Sequence, residues 1–298
     1  MSESRPLGTV LTAMVTPMHA DGSIDVDSAI ALANHLLDHG SDGLVISGTT
    51  GEAPTTHAPE KLELTAALVD AVGHRATLIA GAGSNDTAHA VMMAQQAQEA
   101  GVDAVLALVP YYSKPSQKGV VAHLSAIAGA TDLPVMLYDI PGRTGIALTD
   151  GSLDELAEVS NIVANKDATG DVGAAKDRIA RTGLDWYSGD DPLTLEFLRA
   201  GAAGVVSVSA HVAGTRIAAM IAAHHAGDTA RADSLHEELL PVHDAIFNGP
   251  GASNAKAAME LLGVIPGRHM RLPLLPLDDD ELAALASALR AAGVPITT

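Results

Sequence analysis

The sequence predicts an α/β fold, a (β/α)8 TIM barrel with a small C-terminal helical appendage. Eight short apolar runs recur at intervals of about 25–35 residues, and each is followed by a polar turn and then a helical pattern. An open, doubly wound sheet is the competing architecture. Such a sheet would normally carry a phosphate or dinucleotide fingerprint at its first turn, and Pro17–Gly22 has none.

The predicted strands are mostly continuous apolar segments rather than alternating ones, which is typical of strands buried on both faces. In chain order they are Val10–Val15, Leu44–Ile46, Thr77–Ala80, Ala104–Val109, Pro134–Leu137, Ile162–Ala164, Asp185–Tyr187 and Val205–Val208. Strands separated by helices are joined by right-handed crossovers and pair in parallel. Eight such units are the number that closes a barrel.

Amphipathic helical patterns fill the intervals between the strands. Asp25–His39 and Pro59–Val72 are clear cases, and Asp86–Ala100 begins with an aspartate suited to an N-cap. After Ala210 only helical patterns continue. They are Thr215–His225, Thr229–Asn248, Ser253–Leu262 and Asp278–Ala292. We therefore expect residues 1–225 to form the barrel with the active site, and residues 226–298 a helical region packed on it.

The composition narrows the range of partners. The 298 residues carry a net charge of −19, which disfavours nucleic acid or an anionic membrane surface as the main partner. Cysteine is absent, which excludes disulfides and thiol catalysis and fits a reducing compartment. No apolar run approaches the roughly 20 residues of a membrane span, and the first residues show no signal-peptide pattern. We expect a cytoplasmic protein.

Polar side chains concentrate in the turns that follow the predicted strands. In a barrel these turns meet at the carboxyl ends of the strands, where the chemistry takes place. The turns are SGTTGE (Ser47–Glu52), GAGSND (Gly81–Asp86), PYYSKPSQ (Pro110–Gln117), YDIPGRT (Tyr138–Thr144), NKDATG (Asn165–Gly170), SGDD (Ser188–Asp191) and SVSAH (Ser207–His211).

Lys166 is the one lysine that directly follows a predicted strand, Ile162–Ala164. This position aims its amine into or just above the barrel. Burial without a partner favours the uncharged amine, which is the nucleophile that forms a Schiff base with a carbonyl group. An ordinary ion pair with Asp167 or with an acid of a neighbouring strand is the alternative reading of this position.

Three of the four tyrosines fall in strand-end turns, at positions 111, 112 and 138. A phenol beside a lysine can relay protons during imine formation, although amphipathic packing at the barrel rim is an equal alternative. Thr49 and Thr50 lie between two glycines and can offer a hydroxyl and backbone N–H groups to a carboxylate, or form a simple tight turn. Arg143 suits bidentate capture of a carboxylate, or is a solvated loop residue.

Metal and nucleotide motifs are missing from the sequence. The chain has 13 histidines but no HExxH pair, and no GxxxxGK[ST] loop occurs. We therefore expect neither a catalytic metal nor a cofactor.

Five strand-end motifs, in this order and spacing, resemble the dihydrodipicolinate synthase (4-hydroxy-tetrahydrodipicolinate synthase) family. They are GTTGE, PYYSKPSQ, YDIPGRT, the Lys166 strand and SGDD. The resemblance covers nearly the whole chain, from TAMVTPM to RLPLLPL. The family belongs to the class I pyruvate-dependent aldolase superfamily, which also contains N-acetylneuraminate lyase. The Ala-rich, Lys-poor composition and the KDATG sequence are most similar to enzymes of high-GC Gram-positive bacteria.

The resemblance implies a lyase that condenses pyruvate with L-aspartate 4-semialdehyde to 4-hydroxy-tetrahydrodipicolinate, the first committed step toward diaminopimelate and lysine. Lys166 matches the family's Schiff-base position. The other matching positions are Tyr138 as proton donor and acceptor, Thr49 and Tyr112 as its relay, Thr50 and the backbone of Val206 for pyruvate, and Arg143 for the semialdehyde carboxylate. In relatives the tyrosine matching Tyr112 comes from a neighbouring subunit, which implies a homo-oligomer, usually a tetramer built as a dimer of dimers.

The chain departs from the family pattern at two places. The strand before the lysine commonly reads Val-Gly-Ile or Val-Gly-Val in relatives but Val163-Ala164-Asn165 here, and we expect Asn165 to put a polar amide beside the nucleophile. At the site where feedback-sensitive relatives bind lysine, Asn85 is retained, but Lys61 replaces a histidine and His89 replaces the glutamate that receives the ammonium. This loss of the acidic partner predicts weak or absent inhibition by lysine.

Two alternatives remain at this stage. One is a sibling Schiff-base aldolase acting on a 2-keto-3-deoxy sugar acid or on N-acetylneuraminate. The other is a non-catalytic barrel kept as a binding protein, which would have no need of a nucleophile together with its relay.

Overall fold

Eight parallel strands close into a barrel in the order β1 to β8 in the computed structural model, which describes residues 7–296. The strands are β1 (Val10–Ala13), β2 (Gly43–Ile46), β3 (Thr77–Gly81), β4 (Ala104–Leu108), β5 (Val135–Asp139), β6 (Ile162–Asp167), β7 (Asp185–Ser188) and β8 (Gly204–Ser207). Each strand pairs with the next, and β8 pairs with β1 to close the ring. The predicted fold class is confirmed.

Twelve α-helices accompany the strands within the described residues. They are α1 (Val26–Asp38), α2 (Ala58–Val72), α3 (Thr87–Ala100), α4 (Gln117–Ala128), α5 (Pro141–Thr144), α6 (Asp150–Ala157), α7 (Val172–Thr182), α8 (Thr194–Arg199), α9 (Ala210–His225), α10 (Thr229–Phe247), α11 (Gly251–Leu261) and α12 (Asp279–Ala291). The Asp86 carboxylate accepts the Ala88 N–H and caps α3, as predicted. None of the helices in residues 7–296 is long and apolar enough to cross a membrane.

Both faces of the strands are buried, which explains the continuous apolar runs in the sequence. Side chains such as Leu11, Val45 and Ile79 point inward and fill the barrel with others from the remaining strands. Their chain neighbours, such as Leu44 and Leu78, point outward and pack against the surrounding helices. Consecutive residues of a strand therefore belong to two different hydrophobic layers.

Strands β5 and β6 are longer than the apolar runs that predicted them. The sequence placed Tyr138 and Lys166 in turns, but the structure places them inside β5 and β6, where they are register partners. Asp139 and Asp167 form the next pair of the same ladder. The prediction was too short because the backbone ladder continues through polar residues, whereas the periodicity of apolar side chains ends before them.

A second hydrophobic core lies where the C-terminal helices meet the barrel. Helices α9, α10 and α12 contribute most of it, and Val10 of β1 and Val205 of β8 join it from the barrel wall. Helix α9 begins at Ala210 rather than at Thr215, with non-helical backbone at Ala213. The division of the chain at residues 225 and 226 stays a prediction.

Candidate active site

Lys166 and Tyr138 lie side by side inside the mouth of the barrel. They are opposite each other on adjacent strands, and the Lys166 Nζ is 4.1 Å from the centroid of the Tyr138 ring. Both side chains are buried, with 6% and 5% of their surface exposed. The amine of Lys166 is thus presented to the barrel interior next to a phenol that can donate or accept a proton.

The Asp167 carboxylate does not pair with Lys166, because the next residue along a strand points to the opposite face. It lies outside the barrel wall and accepts hydrogen bonds from the Thr169 N–H and hydroxyl, at 2.9 and 2.7 Å, and from the Trp186 Nε1–H at 3.0 Å. The alternative reading of Lys166, an ion pair with Asp167 or with an acid of a neighbouring strand, is not borne out: among residues 7–296 Lys166 forms no ion pair.

Asn165 also faces away from the pocket, which corrects the expectation that its amide lies beside the nucleophile. It is opposite Leu137 on β5 and Trp186 on β7, whose side chains belong to the layer outside the barrel. The side chain is buried, and its Oδ1 has no hydrogen-bond partner among residues 7–296. Strand alternation thus separates it from the neighbouring amine.

The turn from Ser47 to Glu52 brings Thr49 to the same mouth. The turn lies so close to β3 that a Cβ on Gly81 would come within 2.3 Å of the Ser47 carbonyl oxygen, so only glycine fits at position 81. Thr16 on the β1 side donates its hydroxyl to the Gly51 carbonyl at 2.8 Å. Thr50 is buried in this turn, while Thr49 lines the cavity together with Tyr138.

A cavity of about 220 Å³ extends from Tyr138 and Thr49 outward over the ends of β2 to β4. Its outer part is lined by His57, Lys61 and His89. The residues that line it, all within the described chain, include no aspartate or glutamate. The Lys61 Nζ donates to the Ala53 carbonyl at 2.8 Å, and burial lowers the pKa of this amine.

Two predicted site residues lie on the surface of the single chain. Tyr112 is 88% exposed, and its φ of 71° places it in the left-handed region. It therefore does not pack against the barrel mouth of its own chain. Arg143 is exposed on the short helix α5, which Thr144 fixes by donating its hydroxyl to the carbonyls of Ile140 and Ile146 at 3.0 and 2.7 Å.

Val206 lies inside the barrel near the end of β8, opposite Leu11. The backbone that follows it is held by Asp191, whose carboxylate accepts the Ser207 hydroxyl, the Val208 N–H at 2.9 Å and the Ser209 N–H at 3.3 Å. Sequence reasoning did not assign Asp191 a role. The SGDD motif that contains it is the signal that pointed to this position.

The fourth tyrosine, Tyr187, was also missed, because it stands inside a predicted strand rather than in a turn. It is opposite Lys166 in the ladder and fully buried in the barrel. Its hydroxyl donates to the Gly8 carbonyl and accepts the Leu7 N–H, both at 3.0 Å. Burial raises the pKa of this phenol well above its usual range, so the phenol stays neutral. The two hydrogen bonds tie it to the segment before β1, and it closes the N-terminal end of the barrel.

Comparison with known proteins decides the family. The model of the dihydrodipicolinate synthetase family matches residues 6–292. The chain belongs to this family. The resemblance read from the strand-end motifs is confirmed, and with it the lyase class of Schiff-base aldolases.

The most similar relatives include two bacterial proteins named 4-hydroxy-tetrahydrodipicolinate synthase. The one from Acidothermus cellulolyticus is 53% identical over 97% of this chain and 93% of its own length. The second such synthase of Streptomyces coelicolor is 50% identical over 98% of this chain and 97% of its own length. Both are actinobacterial, which confirms the resemblance to high-GC Gram-positive enzymes.

Solved structures of the family share the fold along nearly the whole chain. A dihydrodipicolinate synthase of Bacillus anthracis has a TM-score of 0.93 at 43% identity and covers 96% of this chain and 98% of its own. The chloride-inhibited enzyme of Acinetobacter baumannii, solved with pyruvate, has a TM-score of 0.93 at 36% identity and covers 97% of this chain and 100% of its own.

Asp139 supplies a pH-dependent test of the layer behind the site. Burial raises the pKa of its carboxyl to about 7, and the facing Asp167 adds to the effect. Since the folded chain holds this proton more tightly than the unfolded chain, the contribution to stability is present at low pH and is lost as the pH rises to about 7. Between pH 5 and pH 8 we expect the unfolding free energy to fall by roughly 2–3 kcal/mol more for the wild type than for Asp139→Asn. Urea titrations at both pH values measure this, and parallel curves would contradict it.

Asn165→Val tests whether the amide reaches the pocket. Because the side chain faces the outer layer, we expect the activity of the variant to stay within about twofold of the wild type. We expect its unfolding free energy to change by no more than about 1 kcal/mol, because the loss of an unpartnered buried oxygen offsets the cost of repacking the space. Steady-state kinetics and urea unfolding check both parts. A large loss of activity in a stably folded variant would place the amide at the site.

Proposed function

We propose that this chain is a 4-hydroxy-tetrahydrodipicolinate synthase that joins pyruvate to L-aspartate 4-semialdehyde through an imine on Lys166. The observation that carries the proposal is the Lys166 amine, buried in the barrel mouth 4.1 Å from the Tyr138 ring. A nucleophilic amine beside a proton-transfer group is what imine chemistry needs. The names of the relatives support the same reaction.

The reaction begins when the Lys166 nitrogen attacks the keto carbon of pyruvate. The resulting carbinolamine loses water to give the imine, and loss of a methyl proton gives the enamine. The enamine carbon then bonds to the aldehyde carbon of the semialdehyde, whose oxygen takes up a proton. Finally the amino group of the second substrate replaces Lys166 at the imine carbon, which closes the ring and frees the lysine. In this proposal Tyr138 donates and accepts the protons that these steps move.

Thr49 and Tyr112 complete the proton relay in this proposal. Thr49 lines the same cavity as Tyr138. Tyr112 is almost fully exposed, and its backbone has a left-handed conformation. We propose that its side chain enters the active site of a neighbouring subunit. The active enzyme is then a homo-oligomer, a tetramer built as a dimer of dimers, and it acts in the cytoplasm.

Three further groups bind the substrates in this proposal. Thr50 and the backbone of Val206 hold the pyruvate carboxylate and keto group, and Arg143 binds the carboxylate of the semialdehyde. Since the chain carries a net charge of −19, the pyruvate anion and the carboxylate of the semialdehyde need a locally favourable potential. The absence of acidic residues from the described lining of the cavity supports this arrangement.

The sibling activity on a sugar acid is not favoured. It would use the same imine, but the relatives at about half identity carry the synthase name, and Arg143 suits a second carboxylate rather than a sugar chain. Pyruvate release from N-acetylneuraminate, measured beside synthase activity, separates the two.

Borohydride trapping tests the nucleophile directly. After incubation with pyruvate and reduction, we expect one adduct per chain, located by mass spectrometry on Lys166, because reduction fixes the imine. Lys166→Ala should show no adduct and no synthase activity. Lys61→Ala is the matched control, since Lys61 lines the cavity that Tyr138 borders, and it should retain the adduct. An adduct at another lysine would overturn the assignment.

Lysine sensitivity tests the outer part of the cavity. With Lys61 and His89 there and no acidic residue lining it, an ammonium group finds no charge partner. We expect submillimolar L-lysine to leave the steady-state rate unchanged. His89→Glu restores an acidic side chain and should increase any inhibition. Strong inhibition of the wild type would contradict the prediction.

A further inference from the structure

A buried ion pair joins the turn that carries Thr49 and Thr50 to the C-terminal helices. The Lys256 Nζ, on α11, donates to the Glu52 Oε1 at the end of the turn. Both side chains have 0% exposure. Two opposite charges enclosed in this way are held at a fixed distance and direction, unlike an exposed pair that solvent screens.

Further hydrogen bonds satisfy both charged groups. The second Glu52 oxygen accepts the Arg271 backbone N–H at 3.0 Å, and the Lys256 Nζ also donates to the His269 carbonyl at 2.8 Å. The Arg271 side chain extends the connection by donating to the carbonyls of Gly22 and Thr55, at 2.8 and 2.7 Å. The C-terminal segment therefore holds this end of the turn from two directions.

Glu52 is close enough to the threonines to control their position. Its N–H donates to the Thr49 carbonyl at 3.1 Å, and its φ of 59° is a left-handed conformation that costs free energy for a residue with a side chain. The Ala53 N–H closes the same turn by donating to the Gly48 carbonyl at 3.1 Å. This strained backbone persists only if other contacts stabilise it. The buried contact between Glu52 and Lys256 does so at the C-terminal end of the turn.

We propose that Glu52 and Lys256 are positioning residues, which fix the Ser47–Glu52 turn so that Thr49 and Thr50 face the bound pyruvate. The C-terminal helices thereby take part in catalysis without touching the substrate. This inference rests on the proposed function, because it assumes the roles given there to the two threonines.

The experiment compares Lys256→Met, Glu52→Gln and the double variant Glu52→Gln/Lys256→Met as full-length chains. Each single variant leaves one buried group without its partner, whereas the double variant leaves no buried charge and keeps the volume nearly constant. Glu260→Gln is the matched control, because Glu260 lies on the same helix and pairs with Arg268 instead of the turn. Thermal melting, steady-state kinetics and borohydride trapping are measured for all four.

Loss of positioning should lower kcat/KM for pyruvate by roughly 10- to 100-fold in the double variant, even where its melting temperature stays near that of the wild type. The expected split is a higher KM for pyruvate from Thr50 and a lower kcat from Thr49. At saturating pyruvate the trapped adduct on Lys166 should persist, since the lysine lies on another strand. Glu260→Gln should keep wild-type kinetics.

Unchanged kinetics in a folded double variant would overturn the inference, and so would an equal loss of activity in Glu260→Gln. A double variant that does not fold would overturn it as well, because the pair would then hold the fold rather than the turn. In each of these cases the wild type still forms its adduct, so the proposed function survives. A wild type that forms no adduct would overturn the proposed function and the inference together.

Discussion

The register between β5 and β6 is the constraint on which the site depends. It sets Tyr138 opposite Lys166 inside the barrel and Asp139 opposite Asp167 outside it. A slip of one residue would exchange the two faces, placing carboxylates in the mouth and the amine among the helices. The same parity keeps the Asp167 charge, one residue away in sequence, from neutralising the nucleophile by direct contact. That the Lys166 amine has no contact with Asp167 thus follows from how the strands pair.

Three buried aspartates behind the barrel mouth, Asp139 on β5, Asp167 on β6 and Asp191 after β7, are each stabilised in a different way. Asp167 is satisfied by three donors, including the only tryptophan of the chain. Asp139 accepts the Leu148 N–H at 3.0 Å and otherwise responds to burial by retaining its proton more strongly. Asp191 uses both oxygens to hold the end of β8. The backbone at the barrel mouth is thus held in position by side chains that lie outside the barrel interior.

Much of the fold could be predicted from local sequence patterns. Each of the eight strands is buried on both faces, and each therefore appears in the sequence as an apolar run. Lys166 and Tyr138 were found for the same reason, as polar residues that end such runs. The ends of the strands and the directions of their side chains were harder to predict. The backbone hydrogen-bond ladder continues through polar residues such as Asn165, which a pattern of apolar residues does not assign to a strand. The pairing of Glu52 with Lys256 spans 204 residues, and no periodicity connects positions so far apart. The role proposed for Tyr112 requires a second subunit, whose packing one chain's sequence does not describe.

Tyr187 closes the barrel at the end opposite the catalytic mouth. Its hydroxyl donates to the Gly8 carbonyl and accepts the Leu7 N–H, which ties the N-terminal segment across that end of the strands. The Lys166 amine is therefore reached from the other end only, past the residues Thr49 and Tyr138 that line the cavity. A ligand of this amine enters and leaves by the same opening.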